Sequence, residues 1–512
     1  MSELAYNLLT EPLVDTDQGL LTLPGVFAAM TRGDLTRFDA LRPHQRPAWH
    51  MFLVQLGVLA LDAGGLRDLP EDEATWRQLL RGLNADHPDD APWCLIAPEE
   101  TPAFLQPPWP KTPVKSDTVS TPDGLDMLIT TRNHDLKVAV AQQARPADWI
   151  HALVSLQTME GFSGPTWYGA SRMNGGSSSR AMLTLAPALP DGKTVHPSRW
   201  WQRDTRRLLA DRSGVRGIAL VWLKDWPDGV QLRVGEDLDP LYIEICRRIR
   251  ISQNEGRLQA TKAGSKAARI INVNGMTDDP WAPTNIAKPR SFTLGDSGEF
   301  SYVRLCDLLY SGGWTPAPLC KPAEGDSQDM LLVAEAFARG NSKTGGFRSR
   351  VVPISRSVVK GLLGEIATDQ SALLIEDIRR IDRALRNGLA LMAANGLRDA
   401  VGPDHYARTR AGRARLDQDA DAMFFPVLWR MLDAPSSEAR LQIRAQFMLD
   451  LAERARRIFR EALPAIPSTA VFRPRAKARA TAQLDRGLHL ALKDSGLIDH
   501  LPDLNQKEPE HG

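Results

Sequence analysis

Residues 338–346, Ala-Arg-Gly-Asn-Ser-Lys-Thr-Gly-Gly, contain the ingredients of a phosphate-binding loop. Such a loop turns consecutive backbone N–H groups onto a phosphate and needs glycine at set positions before its lysine. With Lys343 as that lysine, the second glycine falls on Ser342 and the first on Phe337. A phenyl ring cannot lie where backbone must touch phosphate, so the motif argues against nucleotide hydrolysis. What remains is a tip of small residues with one lysine, flanked by Arg339, Arg348 and Arg350. The apolar runs on either side, MLLVAEAF and VVPI, read as packed elements. Two readings are open: a small cationic tip that reaches into a groove, or a solvated turn.

Two other stretches invite a catalytic reading. His134 stands beside Asp135 in RNHDLK, as in some metal-dependent nucleases. A nuclease centre draws several ligands from separate elements, and no HxxxH, HExxH or cysteine–histidine spacing accompanies the pair. GFSGP, from Gly161 to Pro165, is close to a GxSxG nucleophile elbow, but its second glycine comes one residue too early. Pro165 also opposes the helix that should follow. The four cysteines, Cys94, Cys246, Cys306 and Cys320, form no CxxC and no disulfide framework. No catalytic residue, metal site or cofactor is expected.

Three loops share a different character. Gly161-Phe162-Ser163-Gly164 lets backbone approach a partner closely. TKAGSKAARI (261–270) brings Lys262, Lys266 and Arg269 together with no acid among them. The third is the tip around Asn341, Ser342, Lys343 and Thr344. Small loops beside single cations suit the DNA minor groove, which is narrow, electronegative and lined mainly by acceptors. The plainer alternatives stay open: the glycines shape a turn, and Lys266 solvates a hairpin.

These loops need a scaffold. The 512 residues are enough for two to four domains. Lysine plus arginine number 63 against 62 acids, a net charge of +1, so any nucleic-acid contact must be local. Up to about 365 the chain is rich in Pro, Gly and Trp. It carries short β-like runs at 127–131 (MLITT), 217–223 (GIALVWL) and 269–273 (RIINV), with a helical stretch near 46–64. From about 370, Leu374, Ile378, Ile381, Leu385, Leu389 and Met392 recur at helical spacing. Asn395-Gly396 predicts a stop. Further helices are predicted over 413–433, with Pro426 as a kink site, from a Ser436-Ser437 cap to Pro464, and after Pro474. The expected fold is α+β: a large irregular mixed α/β domain over 1–366, then an all-α antiparallel four-helix bundle over 367–512. The basic run RPRAKARA (473–480) fits a solvated face and DNA backbone contact equally well. The N-terminus lacks a secretory pattern and no apolar run spans a bilayer, so a cytoplasmic protein with no membrane partner is expected.

In order and spacing, YNLLTEPLV near the start, TPAFLQ at 101–106, SKAARI…NG…DPWAP at 265–283, GNSKTGGFRSRVVPI at 340–354 and the helical C-terminal region resemble the CasA-type large subunit of the type I-E CRISPR Cascade complex. The similarity covers nearly the full length. It implies a non-enzymatic subunit that sits at the 5′ handle of the guide RNA among the other Cascade subunits. Such a subunit finds the protospacer-adjacent motif (PAM) of double-stranded target DNA from the minor groove, opens the duplex, and later admits a helicase-nuclease. By the resemblance, Gly161, Phe162, Ser163 and Gly164 are the glycine loop. Lys266 is the lysine finger, with Arg269 as its rival, and Asn341, Ser342, Lys343 and Thr344 form the wedge. A loop at Asn133, His134 and Asp135 anchors the subunit near the RNA handle. The chain lacks the cysteine-rich zinc insertion of some relatives. It has lysine where some have glutamine at the wedge tip, so the PAM preference does not carry over. The competing readings are a nuclease using His134 and Asp135, and a purely architectural scaffold.

Overall fold

The computed structural model describes residues 4–111, 114–126, 144–173, 178–212, 214, 216–272, 277–326, 328–340 and 343–500. The chain divides into two units, Met1–Phe300 with Gly313–Pro353, and Ser301–Gly312 with Ile354–Gly512.

The first unit is built around the helix Arg46–Ala63, in which every residue from Pro47 to Leu61 is buried. A helix that is apolar all round must be covered on all sides. It packs on the helices Pro146–Met159 and Pro197–Ala210. Its polar groups are satisfied inside: His50 Nε2 lies 2.9 Å from Asp204 Oδ2, and Gln55 Nε2 donates to the Tyr242 carbonyl at 2.8 Å. Trp201 Nε1 returns a bond to the Leu53 carbonyl at 3.1 Å. Burial depresses the His50 pKa, opposed by Asp204.

Several small sheets surround this core, and two of them carry the loops of interest. In one, Arg257–Gly264 lies between Arg248–Asn254 and Val114–Val119, antiparallel to both, with Lys262 opposite Ile249 on one side and Asp117 on the other. The Arg248–Gly264 hairpin turns through Glu255 and Gly256, both at positive φ, as a tight two-residue turn requires. In the other, Met330–Gly340 lies between Met182–Pro187 and Lys343–Ile354. Residues 330–339 are buried without interruption, the pattern of a strand covered on both faces. Its one buried carboxylate, Glu335, pairs with Arg46 and accepts from Ser349 Oγ at 2.8 Å.

The predicted β-runs are shorter than expected. In GIALVWL only Ile218–Leu220 is strand, and Val221–Leu223 forms a 3-10 turn that buries Val221 and Trp222. In RIINV the strand is Ile270–Ile271, and MLITT lies outside the described residues.

The second unit contains the four expected helices: Glu365–Ala393, Arg410–Leu432, Ser437–Ala462 and Arg473–Asp494. All six residues of the predicted stripe, Leu374 to Met392, are buried. Asn395 (φ 54°) and Gly396 (φ 75°) end the first helix, with Gly396 N–H donating to the Leu391 carbonyl. Ser436 caps the third by accepting from Ala439 N–H at 3.1 Å. The second helix continues through Pro426. Where the sequence predicts a division at 366–367, the second unit begins at Ile354 and includes the helix Tyr302–Tyr310. Tyr302 explains that inclusion: its N–H donates to Asp421 at 2.6 Å, its hydroxyl to Asp417 at 3.1 Å, and its ring lies 4.9 Å from that of Phe424.

A buried ion pair crosses the bundle. Arg444 grips Asp377 with two bonds of 2.6 and 2.8 Å, and Ser495 Oγ donates to the same carboxylate at 2.9 Å. Removing the carboxylate leaves a buried guanidinium unpaired. Asp377→Ala is therefore expected to destabilise the second unit by about 3–5 kcal/mol, read as a lower denaturant midpoint in equilibrium unfolding. A change below about 1 kcal/mol, the size of a solvated surface pair, would contradict this.

Candidate nucleic-acid interface

The glycine loop leaves the end of the helix Pro146–Met159 through Glu160. Gly164-Pro165-Thr166-Trp167 then forms a turn closed by Trp167 N–H to the Gly164 carbonyl at 3.0 Å. Proline at its second position and Thr166 at φ 71° in its third make it a type II turn. Threonine has a Cβ, so that third position is strained. Ser163 N–H donates back to the Trp167 carbonyl at 3.1 Å, and the two strands of the loop run side by side. Their closest approach is at Gly169, where a Cβ would lie 2.5 Å from the Gly161 carbonyl carbon. Gly164 sits at φ 142°, and a Cβ there would meet nothing within 4 Å. The loop thus presents bare backbone at Gly164 and an exposed Ser163.

The strand Arg257–Gly264 delivers Lys266 to this loop. Ser265 N–H donates to the Thr166 carbonyl at 3.0 Å, and Tyr168 Oη donates to the Lys266 carbonyl at 3.1 Å. The Lys266 backbone is held while its side chain is exposed, and no carboxylate pairs with it among the described residues. The other two cations of the segment behave differently. Lys262 Nζ lies 3.4 Å from Asp117 on the adjacent strand, so the acid missing from 261–270 is supplied across the sheet. Arg269 is buried, donating to the Asp225 carbonyl at 2.7 Å, with its guanidinium 5.7 Å from the Trp226 ring centre. Burial, and then neighbouring Arg248, lower its pKa to about 10. It remains charged at neutral pH, and its guanidinium is turned inward onto carbonyls, whereas Lys266 is exposed.

In the third loop, Lys343 and Thr344 begin the return strand, and Asn341 and Ser342 lie outside the described residues. The neck beside them is close-packed: a Cβ on Gly345 would lie 2.2 Å from the Asp296 carbonyl oxygen. Phe337 is fully buried, its ring 5.5 Å from that of Phe347, in keeping with the rejected phosphate-loop reading. Of the three flanking arginines, Arg339 is buried and Arg350 donates to the Phe300 carbonyl at 2.9 Å. Asn133, His134 and Asp135 lie outside the described residues.

Two side chains far apart in sequence connect these loops. Arg247 donates from Nη2 to the Gly161 carbonyl at 3.0 Å and to Ser163 Oγ at 3.2 Å. The Glu160 carboxylate lies 3.7 Å from Arg247 and 3.5 Å from Arg339, at the end of the strand Met330–Gly340. Sequence patterning does not single out Arg247, Glu160 or Tyr168: Arg247 is one of three arginines within Arg247–Arg250, and Glu160 and Tyr168 are single polar groups with no motif around them. Among the described residues, no three His, Cys, Asp or Glu side chains cluster as metal ligands. Nor is any helix long and apolar enough to cross a membrane.

Separating the two cations gives a direct test. Lys266→Ala is expected to leave thermal stability unchanged, because its side chain is exposed and its carbonyl, which the substitution keeps, makes the bond to Tyr168. Arg269→Ala is expected to lower Tm by several degrees, since it removes a buried hydrogen-bonding cation. Equal loss of stability in both would refute the distinction.

By sequence, the chain matches no family model and no curated protein. By structure it is similar to the CRISPR-associated protein Cse1 from Acidimicrobium ferrooxidans, with a TM-score of 0.67 and 16% identity over 96% of this chain and 99% of that one. It is also similar to Thermus thermophilus CasA (Cse1), with a TM-score of 0.66 and 14% identity over 95% and 100%. For Thermobifida fusca Cse1 the TM-score is 0.60, with 16% identity over 95% and 98%. Both units and their order are covered, and the chain has the CasA-type (Cse1) fold.

Proposed function

We propose that this chain is the large subunit of a type I-E CRISPR Cascade complex. It recognises the PAM in double-stranded DNA from the minor groove, starts the R-loop and helps recruit the helicase-nuclease. The observation that carries this reading is the direct hydrogen bonding of the glycine loop to the Lys266 loop, through Ser265 to Thr166 and Tyr168 to Lys266. Bare backbone at Gly164 and an exposed Lys266, with no carboxylate partner among the described residues, then belong to two loops bonded to each other, one free of side-chain bulk and the other a donor. A narrow groove lined by acceptors is matched by that combination.

In this proposal Asn341, Ser342, Lys343 and Thr344 form the wedge, and the segment at Asn133, His134 and Asp135 contacts the 5′ handle of the guide RNA. The remaining partners are the other Cascade subunits, and the compartment is the cytoplasm. The work is done by binding energy with no covalent chemistry. Exchanging a DNA duplex for an RNA–DNA heteroduplex is close to balanced, so the step that needs help is opening at the PAM. Unstacking the first step costs a few kcal/mol, within the reach of an inserted tip.

Replacing Ser342, Lys343 and Thr344 together by alanine tests the wedge. R-loop formation by the reconstituted complex is expected to slow on intact duplex and to stay near normal on a target already unpaired beside the PAM. Equal loss on both targets, with a flatter salt dependence, would make Lys343 an ordinary phosphate contact. Gly164→Asp tests the glycine loop, with Gly164→Ala as the control for its positive φ. Assembly is expected to survive in both, and the aspartate is expected to weaken binding to PAM-bearing targets well beyond the alanine, through repulsion from phosphates and acceptors. Equal binding by the two variants would remove the loop from PAM reading. A scaffold would tolerate every one of these changes, and a nuclease would cut DNA with divalent metal and lose that activity on His134→Ala.

A further inference from the structure

One buried charge cluster adjoins both the glycine loop and the strand Met330–Gly340. Glu160, Arg247 and Arg339 are each at least nine-tenths buried, with side-chain exposures of 7%, 4% and 3%. One carboxylate thus stands between two guanidiniums, its two oxygens turned to different partners: Oε1 to Arg339 and Oε2 to Arg247. The two guanidiniums come from different segments, Arg247 just before the strand Arg248–Asn254 and Arg339 within the strand Met330–Gly340. Arg247 holds the Gly161 carbonyl and Ser163 Oγ. Arg339 ends the strand that leads, in sequence, into 341–344, and its own N–H donates to the Leu294 carbonyl at 3.4 Å. Glu160 is itself fixed at the end of its helix, its N–H donating to the Leu156 carbonyl and its carbonyl accepting from Ala170 N–H at 2.6 Å.

From this geometry we infer that Glu160 is a positioning residue that couples the glycine loop to the hairpin bearing Lys343, so that docking of one loop sets the other. The inference rests on the function proposed above and adds a coupling to it. Two buried cations facing each other without a carboxylate between them repel and lose their shared partner. The neutral isostere Glu160→Gln keeps the volume and some hydrogen bonding while removing the charge that holds both guanidiniums. The strand end at Arg339 then loses its charge tie to Glu160, the residue that precedes Gly161. Opening the duplex requires the loop that reads the PAM and the tip that enters the stack to act on adjacent base pairs. A shift between them costs opening even when each loop is intact.

The test uses the assembled complex with the full-length chain, on intact duplex and on a target pre-opened beside the PAM. Glu160→Gln is expected to slow R-loop formation on the duplex by about tenfold, the scale of coupling between groups in one network, while the pre-opened target stays within about twofold. A double-mutant cycle between Gly164→Ala and Lys343→Ala is expected to be non-additive in the native background and additive in the Glu160→Gln background. A purely structural role predicts a lower Tm with both targets slowed alike, and that outcome overturns the inference. So does an unchanged duplex rate in Glu160→Gln. If the native complex itself does not distinguish the two targets, the proposed function fails before the coupling is tested. Should Glu160→Gln not assemble, Arg339→Lys keeps the charge, shortens the reach, and carries the same expectations.

Discussion

A single buried carboxylate, Glu160, shared by two buried guanidiniums, is the constraint on which the arrangement of loops depends. Burying charge is costly unless each ion is paired and its remaining hydrogen-bonding capacity is used. Arg247 meets that demand by spending a donor on the Gly161 carbonyl, and this fixes where the glycine loop begins. Gly169 and the Thr166 turn then leave the loop little choice of path, because the returning strand passes too close to Gly161 to admit a side chain. The second connection, from Tyr168 and Thr166 to residues 265 and 266, places an exposed lysine against the same loop. The whole arrangement stands on a first unit whose central helix is buried all round, which gives the loops a rigid base.

The near-zero net charge hides an uneven division of cations. Arg172, Arg180, Arg247, Arg248, Arg250, Arg269 and Arg339 are all buried in the first unit. Several of them spend their donors on backbone carbonyls: Arg248 on Trp226 and Gly264, Arg250 on Ala97 and Pro98, and Arg269 on Asp225. Arginine suits this work because its planar fork satisfies several acceptors at once and stays ionised when buried. These side chains brace irregular loops that small sheets alone would not hold. Lys266, by contrast, keeps an exposed side chain at the loop, where its charge is well solvated.

The bundle was legible in the sequence because helical periodicity, caps and glycine stops are local signals, and Leu374 to Met392, Ser436 and Asn395-Gly396 carried them. The helix Tyr302–Tyr310 was not, since what assigns it to the second unit is Tyr302 meeting Asp417 and Asp421 more than a hundred residues on. In the first unit many strands have two or three residues, too short for alternation to register, and GIALVWL exchanges half its length for a 3-10 turn around Trp222. The loops themselves were visible as runs of small residues and lysines. The bonding of the glycine loop to the Lys266 loop was not, because it depends on Thr166 and Tyr168 meeting residues about a hundred positions on. Arg269 has no acid beside it within 261–270, and its partners are the carbonyls of Lys224 and Asp225, which no sequence pattern marks.

The central claim is that the glycine loop and the Lys266 loop form one surface that reads duplex DNA from the minor groove. The most direct test is cryo-electron microscopy of the assembled complex, with its guide RNA, on a duplex carrying its PAM. The account predicts the Gly164 backbone and Lys266 Nζ within hydrogen-bonding reach of minor-groove base edges beside the target, with Lys343 at the first opened pair. If both loops instead face another protein subunit or solvent while other residues hold the PAM, the account is wrong.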